Sequence, residues 1–249
     1  MLALGDRGVR AVLLDIEGTT TPIAFVHAVL FPFARTALGA YLRDPDNSQI
    51  VRDIASRLWQ EHSIDLERGE RPPAWRDRTH ADLLASVEAY ALWLMDRDRK
   101  SPGLKLLQGR IWECGYRAGL LKGEVFPDVS PAIQGWREAG LDVAIYSSGS
   151  VLAQRLLFES TPDGDLTRLL TGFFDTAVGP KTSTDSYANI ARALSRQPAE
   201  IIFISDVVTE LSAARAAGLQ VLLSLRPGNP AQTGAESFEA IRSFDEIQI

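Results

Sequence analysis

Two carboxylates at the end of an apolar run are the first residues in this sequence whose types and spacing could do chemistry. Asp15 and Glu17 stand in the segment Asp-Ile-Glu-Gly-Thr, directly after the largely apolar residues 9–14. On a turn, one carboxylate can attack phosphorus while the other donates a proton to the leaving group and later activates water. Gly18 lets the backbone turn sharply, so that N–H groups there can bind phosphate oxygens. Acidic loops are common after strands, so the pair alone does not define a site.

Hydroxyl groups and a lysine follow two later apolar runs. Ser147 and Ser148 come directly after the run 142–146. A hydroxyl with backbone N–H groups at a helix N-terminus forms a natural phosphate site. Lys181 follows the run 173–178, where its ammonium group can neutralise both a phosphate and a carboxylate nucleophile. Taken singly, each has a structural alternative: simple N-capping of the next helix for the serine segment, and a solvated surface position for the lysine.

A further acidic residue, Asp206, follows the run 201–205. It can join Asp15 in binding Mg²⁺, a cation that prefers a few carboxylates together with water and phosphate oxygen. An N-cap is again the structural alternative. The acidic pair, the hydroxyls, the lysine and the last acid each stand at the end of an apolar run. This order favours a single site that holds a nucleophile, a general acid, phosphate contacts and a metal ion.

Alternating strands and helices are predicted to position these residues. Short apolar runs predict buried strands at 9–15, 142–146, 173–178, 201–205 and 220–225. Helix-like stretches are predicted at about 130–139, 150–158, 184–195 and 208–217. Strands that alternate with helices of this length indicate an α/β fold with a doubly wound parallel sheet. Ligands bind such sheets at the carboxyl ends of the strands.

The segment from about 22 to 125 has a different, helical period. Apolar residues recur at helical spacing in three stripes: Ile50, Ile54 and Leu58; Leu83, Leu84, Val87, Tyr90, Ala91 and Leu94; and Leu104, Leu107, Ile111 and Tyr116. We therefore predict a helical cap domain at 22–125, inserted at the carboxyl edge of the first strand. Residues 1–21 and 126–249 then form the α/β core domain.

Bulk properties restrict the partners and the compartment. The 249 residues carry a formal net charge of −6, which provides no basic face for nucleic acid or anionic lipid. Cys114 is the only cysteine, so no intrachain disulfide can form and a reducing cytoplasm is the expected compartment. No apolar run approaches the roughly 18 residues that span a membrane. We expect a small anionic ligand, with neither a nucleic-acid nor a membrane partner.

The motifs resemble those of the haloacid dehalogenase superfamily. The matching positions are Asp15-x-Glu17-Gly18-Thr19, Ser148, Lys181 and Asp206. Longer segments resemble the enolase-phosphatase (acireductone synthase) family of methionine salvage: LLDIEGTTTPIAFV at 13–26, LKLLQGRIWECGYRAGLLKGEVFPDV at 104–129, YSSGSVLAQRLLF at 146–158 and SLRPGN at 224–229. The superfamily usually has a second Asp where this chain has Glu17, and that departure is typical of this family.

The resemblance implies a bifunctional, Mg²⁺-dependent enzyme. It would enolise 2,3-diketo-5-methylthiopentyl 1-phosphate and hydrolyse the phosphate through an aspartyl-phosphate on Asp15, which releases an acireductone. The implied catalytic residues are Asp15, Glu17 and Lys181; the implied substrate contacts are Ser147, Ser148 and Lys181; and the implied metal ligands are Asp15, Glu17 and Asp206. Glu17 would bind the metal through its backbone carbonyl, which leaves its carboxylate free for proton transfer. A monomer is implied as well.

Three rival functions remain open at this point. The nearest is a phosphatase of the same superfamily that acts on another small phosphorylated metabolite. A dehalogenase would share the aspartate nucleophile, but it needs neither a metal nor an acid at the position of Glu17. A non-catalytic phospho-acceptor domain would use an aspartate and a lysine on an α/β sheet, but it has no use for a large helical insertion.

Overall fold

The computed structural model describes residues 2–249 and divides the chain into two compact units. The sheet unit comprises the residues up to Ala28 together with Leu121–Ile249, and the helical unit is Val29–Leu120. The predicted insertion, 22–125, is thus trimmed at both ends. At its second end the reason is close packing, because the Gly123 N–H donates to the Ser160 carbonyl at 2.9 Å and a Cβ at Gly123 would overlap the Leu157 carbonyl.

A six-stranded parallel sheet forms the centre of the sheet unit, in the order β4-β3-β2-β5-β6-β7. Its strands are β2 (Ala11–Leu14), β3 (Asp142–Tyr146), β4 (Gly172–Phe174), β5 (Ile201–Ser205), β6 (Gln220–Ser224) and β7 (Ala240–Ile241). A separate two-stranded parallel sheet pairs β1 (Leu2–Ala3) with β8 (Ile247–Gln248). Every residue of β2 and β5 is buried, as expected for central strands of a parallel sheet that is covered on both faces. The predicted α/β class with a parallel sheet is confirmed.

Helices connect the strands of the sheet unit. They are α1 (Ile23–Phe25), α6 (Val129–Glu138), α7 (Val151–Glu159), α8 (Thr184–Ala193) and α9 (Val208–Ala216). A π-helical stretch, Val26–Leu30, follows α1. The Ser150 hydroxyl accepts the Ala153 N–H at 3.2 Å and so caps α7 directly after the β3 loop. The four longer helices lie within two residues of the stretches predicted from the sequence.

The helical unit contains four helices: α2 (Phe31–Arg43), α3 (Ser48–Glu67), α4 (His80–Met95) and α5 (Pro102–Arg117). Two of these helices begin at N-cap residues that are typical of helix starts. Thr79 caps α4 by accepting the Asp82 N–H at 3.1 Å, and Ser101 caps α5, whose first residue is Pro102. The predicted stripes fall on α3, α4 and α5, whereas α2 was not predicted as a separate helix.

The six-stranded sheet differs from the prediction at two of its strands. The predicted strand 173–178 ends at Phe174, because the Asp175 carboxylate accepts the Ala177 N–H at 2.9 Å and the Val178 N–H bonds to the Asp175 carbonyl at 3.1 Å. These bonds form a turn that takes the chain out of the sheet. The strand β7 has only two residues, which is too short to produce a hydrophobic period, and it was not predicted.

One helical stretch of the described residues, Ile23–Arg43, is long and apolar enough by length and composition to cross a membrane. The expectation that no run approaches a membrane span is therefore wrong at this place. Such a helix is weak support for a membrane protein, because the core helices of soluble proteins pass the same test. Along α2, Ala34, Leu38 and Leu42 are buried at a spacing of four residues, and the helix packs against α4 and α5. The lack of a membrane partner stays a prediction.

Candidate active site

The centre of the sheet brings Asp15 and Asp206 to neighbouring strand ends. Leu14, the last residue of β2, pairs with Ile145 of β3 on one side and with Ile204 of β5 on the other. The Asp15 N–H continues this pairing by donating to the Ile204 carbonyl at 3.0 Å. Parallel pairing therefore fixes Asp15 beside the end of β5, where Asp206 follows. This is the edge at which ligands bind open α/β sheets.

The Asp15 carboxylate is buried, with 5% of the residue exposed, and both of its oxygens are bonded. Oδ1 accepts the Ile16 N–H at 2.7 Å and lies 2.7 Å from Lys181 Nζ. Oδ2 accepts the hydroxyl of Ser205 at 2.9 Å. Contacts to both oxygens hold the carboxylate in one orientation. Asp15 is therefore arranged as a fixed carboxylate nucleophile would be.

The loop before Lys181 is anchored by aromatic hydroxyls from the core. The Tyr146 hydroxyl donates to the Gly179 carbonyl at 2.9 Å, and the Tyr187 hydroxyl donates to the Lys181 carbonyl at 2.7 Å. Gly179 has φ +130°, and a Cβ there would overlap the side chain of Ser186. Only glycine fits this position without strain. The Gly-Pro-Lys segment thus places the lysine backbone at the sheet edge.

Lys181 is buried and does not occupy a solvated surface position, since 8% of it is exposed. Its Nζ lies between Asp15 Oδ1, at 2.7 Å, and Glu210 Oε2, at 2.5 Å. Burial by itself would lower the pKa of the lysine, but the two carboxylates outweigh it and raise the pKa above the ordinary value. The ammonium group is therefore charged over the whole physiological range of pH.

Lys181 contacts Asp15 and Glu210, with Asp206 nearby, and two of these three carboxylates have raised pKa values. Burial, then repulsion from Asp15, raises the pKa of Asp206 to about 7. The same two causes, in the same order, raise the pKa of Glu210 to about 7, despite its contact with Lys181. One lysine cannot compensate two buried carboxylates and the half-buried Glu210. Such perturbed groups, close together at a sheet edge, are typical of a functional site.

Glu17 stands on the turn that follows Asp15, and its side chain is exposed. Gly18 has φ +67°, and a Cβ there would come within 2.5 Å of Asp206 Oδ2. The Asp206 carboxylate thus lies directly against this turn. Asp15, Asp206 and the backbone of Glu17 and Gly18 meet in one place, as the order of the motifs predicts.

Ser147 and Ser148 follow β3, the other neighbour of β2. Ser147 is buried, and its hydroxyl accepts the Gly149 N–H at 3.2 Å. Ser148 is exposed, and the N-cap of α7 is instead Ser150. The structural alternative of N-capping therefore applies to Ser150 and leaves the other two hydroxyls at the strand end.

A hard, oxygen-binding cation fits the residues at this edge. No group of three or more His, Cys, Asp or Glu side chains among residues 2–249 has the arrangement of a complete metal site. Two carboxylates, Asp15 and Asp206, together with the Glu17 carbonyl are nevertheless the few oxygen ligands that Mg²⁺ takes when it retains water. Burial, then repulsion from Asp15, raises the pKa of Asp206, and a cation bound beside both carboxylates would offset both effects.

Two residues of the cluster received no role from the sequence. Ser205 Oγ donates to Asp15 Oδ2, lies 3.1 Å from Glu210 Oε2 and accepts the Val207 N–H. Glu210 is the second carboxylate on Lys181. The available signal was the spacing of four residues between Asp206 and Glu210 across the start of α9, which places both near the strand end.

Comparisons with known proteins agree with this geometry. The profile of the haloacid dehalogenase-like hydrolases matches residues 9–218. The chain is 48% identical to enolase-phosphatase E1 of Synechococcus elongatus over 239 residues, 96% of this chain and 98% of that protein. It is 43% identical to enolase-phosphatase E1 of Drosophila mojavensis over 254 residues, 99% of this chain and 98% of that protein. Among solved structures, the UTR4 protein of Saccharomyces cerevisiae is similar, with a TM-score of 0.74, 33% identity and coverage of 95% of this chain and 99% of that chain.

Proposed function

The chain belongs to the enolase-phosphatase family of the haloacid dehalogenase-like hydrolases, and we propose that it acts on 2,3-diketo-5-methylthiopentyl 1-phosphate. It enolises this diketone and removes the phosphate, giving 1,2-dihydroxy-3-keto-5-methylthiopentene in methionine salvage. The observation that carries the proposal is the buried Asp15 held by Lys181 at the sheet edge, in a chain that matches enolase-phosphatases over nearly its full length.

Phosphate removal proceeds through Asp15 in two steps. An Asp15 oxygen bonds to phosphorus, the ester P–O bond breaks, and the leaving oxygen takes a proton from the Glu17 carboxyl group. A water molecule then attacks phosphorus of the aspartyl-phosphate, Glu17 takes a proton from that water, and inorganic phosphate leaves with Asp15 restored. The buried, doubly hydrogen-bonded state of Asp15 supports the nucleophile, and the exposure of Glu17 supports proton exchange with substrate and water.

Lys181 offsets the repulsion between the anionic nucleophile and the anionic phosphate. Its ammonium group contacts Asp15 directly and is fixed by Glu210 on its other side. A preorganised positive charge stabilises the charge that develops on the phosphoryl oxygens in the transition state. Ser147 and Ser148, at the end of the adjoining strand, bind the phosphate through hydroxyl and backbone N–H groups.

Mg²⁺ would be held by the carboxylates of Asp15 and Asp206 and by the Glu17 backbone carbonyl. When bound, this cation neutralises charge on the phosphoryl oxygens and polarises a substrate oxygen. The chain's own contribution is to keep Asp15 and Asp206 next to each other on adjacent strands. We also expect the protein to be a cytoplasmic monomer, which size-exclusion chromatography with light scattering would test.

A single assay tests the proposed function. Purified protein is mixed with the diketo phosphate and Mg²⁺, and the enediol absorbance and inorganic phosphate are followed together. We expect both signals, with a chelator abolishing phosphate release and added Mg²⁺ restoring it. Phosphate release without an enediol signal would indicate a simple phosphatase of the same superfamily, and full activity in excess chelator would exclude the metal.

A further inference from the structure

The segment 224–229, directly after β6, bonds to the turn that carries Glu17. The Ser224 hydroxyl donates to the Gly18 carbonyl at 3.1 Å, and the Asn229 side-chain amide donates to the same carbonyl at 2.8 Å. The Asn229 amide is also 3.2 Å from the Ser224 carbonyl, which ties the two ends of the segment together. Two side-chain donors therefore meet on one backbone oxygen of the turn.

Arg226, between these residues, bonds to the next carbonyl of the same turn. Its Nε donates to the Thr19 carbonyl at 3.0 Å. The guanidinium is buried, lies over the rings of Phe126 and Phe244 at 4.5 and 4.6 Å from their centroids, and forms an ion pair with Asp128 at 2.7 Å. A planar guanidinium that contacts two aromatic rings, a carboxylate and a carbonyl has little freedom to move. The Thr19 carbonyl is thus fixed to a rigid part of the sheet unit.

These contacts fix both peptide planes that flank Gly18. On its N-terminal side, the Gly18 N–H donates to the Thr21 carbonyl at 2.8 Å, which holds the plane that contains the Glu17 carbonyl. On its C-terminal side, the Gly18 carbonyl is held by Ser224 and Asn229. With both planes fixed, Gly18 stays at its positive φ, and the direction in which Glu17 leaves the turn is fixed as well.

Asn229 and Asp206 approach Gly18 too closely for a side chain at this position. A Cβ at Gly18 would lie 2.8 Å from Asn229 Oδ1, as well as 2.5 Å from Asp206 Oδ2. The side chains of Asn229 and Asp206 therefore both lie against Gly18. The segment 224–229 is thus part of the immediate surroundings of the reactive carboxylates, although it supplies no titratable group that reaches them.

We infer that segment 224–229 is a positioning element for Glu17, in which Ser224, Arg226 and Asn229 hold the Gly18 and Thr19 carbonyls so that the Glu17 carboxyl group meets the leaving oxygen. This inference rests on the general-acid role of Glu17 in the proposed function. The three side chains act through the turn and do not touch the substrate. Their loss should impair proton donation rather than the nucleophile.

The dependence on the leaving group separates this role from a merely structural one. A nitrophenolate leaves without protonation, whereas an alkoxide needs a general acid. The test compares kcat/KM for p-nitrophenyl phosphate and for dihydroxyacetone phosphate in the double variant Ser224→Ala with Asn229→Ala. We expect a loss of roughly tenfold or more for the alkyl ester and of less than about threefold for the aryl ester, within the range of general acid catalysis.

Two further variants keep the test independent of folding. Arg226→Lys retains a positive charge for Asp128 but removes the donor to Thr19, and we expect the same selective loss. Gln220→Ala is the matched control, because Gln220 lies at the opposite end of β6 and its amide likewise donates to two carbonyls, those of Arg7 at 2.9 Å and Ala199 at 2.8 Å. Its ratio of the two kcat/KM values should equal that of the native protein.

Glu17→Gln, measured in parallel, separates failure of the inference from failure of the proposed function. If Glu17→Gln loses the alkyl ester selectively while the double variant and Arg226→Lys lose both esters equally or neither, segment 224–229 only supports the fold and the inference is overturned. If Glu17→Gln itself shows no selectivity, the general-acid assignment fails, and the inference fails with it.

Discussion

Two buried carboxylate clusters, one in each unit of the protein, differ in how their charge is balanced. In the helical unit, Asp65 accepts the Tyr90 hydroxyl at 2.7 Å and pairs with Arg99 at 2.7 Å. Burial alone would raise the pKa of Asp65, but the bonds from Tyr90 and Arg99 outweigh it and lower the pKa below the usual value. This carboxylate is ionised and fully satisfied by its own neighbours.

The cluster at the sheet edge lacks that balance. Within residues 2–249, Lys181 contacts Asp15 and Glu210 but forms no ion pair with Asp206, and the pKa values of Asp206 and Glu210 rise to about 7 because of burial, then repulsion from Asp15. A balanced cluster needs no further ligand, whereas an unbalanced one lowers stability until a ligand compensates its charge. This difference supports the proposal that the second cluster takes up a cation and does chemistry, whereas the first has its charge balanced within the fold.

The largest expected effect is on the nucleophile. Asp15→Asn keeps the side chain's shape but removes its charge and most of its nucleophilicity. We expect no phosphate release. Enolisation should persist, because it needs only a polarised carbonyl and removal of a carbon proton. The phosphorylated enol should then accumulate, detected by its absorbance and by an esterified phosphorus resonance. Loss of both activities with Mg²⁺ still bound would mean that Asp15 also serves enolisation.

The next largest effect is on proton transfer. Glu17→Gln should slow phosphate release by roughly 10²–10⁴-fold, the usual scale for a positioned general acid. Mg²⁺ binding should survive, because the substitution retains the backbone carbonyl. Steady-state kinetics and calorimetric Mg²⁺ titration test the two parts separately. Turnover close to the native rate would remove Glu17 from the mechanism.

Replacing the basic residue of each cluster, Lys181 or Arg99, compares the roles of the two clusters directly. Lys181→Ala should lower kcat/KM for the diketo phosphate by roughly 10²-fold, because a preorganised charge on the nucleophile and phosphate is lost. Arg99→Ala should leave kcat/KM unchanged and lower the free energy of unfolding by roughly 1–2 kcal/mol, because Asp65 loses a charge-assisted hydrogen bond. Kinetics and urea unfolding on both variants provide the comparison. An active Lys181→Ala variant would return this lysine to a structural role.

The cluster at the sheet edge should also make the free energy of unfolding depend on pH. Between about pH 4, the ordinary carboxyl pKa, and about pH 7, the folded protein binds more protons at Asp206 and Glu210 than the unfolded chain does. Their contribution to the free energy of unfolding therefore falls as the pH rises through this window. Without Mg²⁺, Asp206→Asn should lose less stability than the native protein between about pH 5 and pH 8.

Mg²⁺ should reverse this destabilisation. At a concentration about 100-fold above its dissociation constant, Mg²⁺ should stabilise the native protein at high pH by roughly 2.7 kcal/mol, and Asp206→Asn by much less. Thermal unfolding with and without the metal measures both effects. Equal stabilisation of the two proteins would place the metal elsewhere.

The sequence predicted the parts of the site that are local in the chain. Apolar runs predicted the strands, and strand ends placed Asp15 and Asp206 at one edge, since parallel strands share a direction. The contacts of Glu210 with Lys181 and of Arg226 with Thr19 join residues from different loops, and no local spacing encodes such a meeting. The sequence likewise did not predict the burial of Lys181, because a lysine after a strand is usually solvated.

The residues at which the helical unit begins and ends could not be predicted from local sequence patterns either. The change from a strand period to a helix period marks where helices begin, not which unit they pack in. Residues 22–28 and 121–125 belong to the sheet unit through packing and hydrogen bonds such as that of Gly123 with Ser160. That the helical unit caps the carboxyl edge stays a prediction.

The proposed reaction requires that Asp15 become covalently phosphorylated, and this intermediate can be trapped. The Glu17→Gln protein is mixed with the diketo phosphate and Mg²⁺, quenched in acid within the first turnover, and digested for mass spectrometry. Because the base that activates water is lost, we expect the phosphoenzyme to accumulate, with one phosphoryl group on the peptide that contains Asp15 and none in the Asp15→Asn control. Phosphate release by the native protein with no phosphorylated Asp15 peptide at any quench time, together with an active Asp15→Asn variant, would contradict the account.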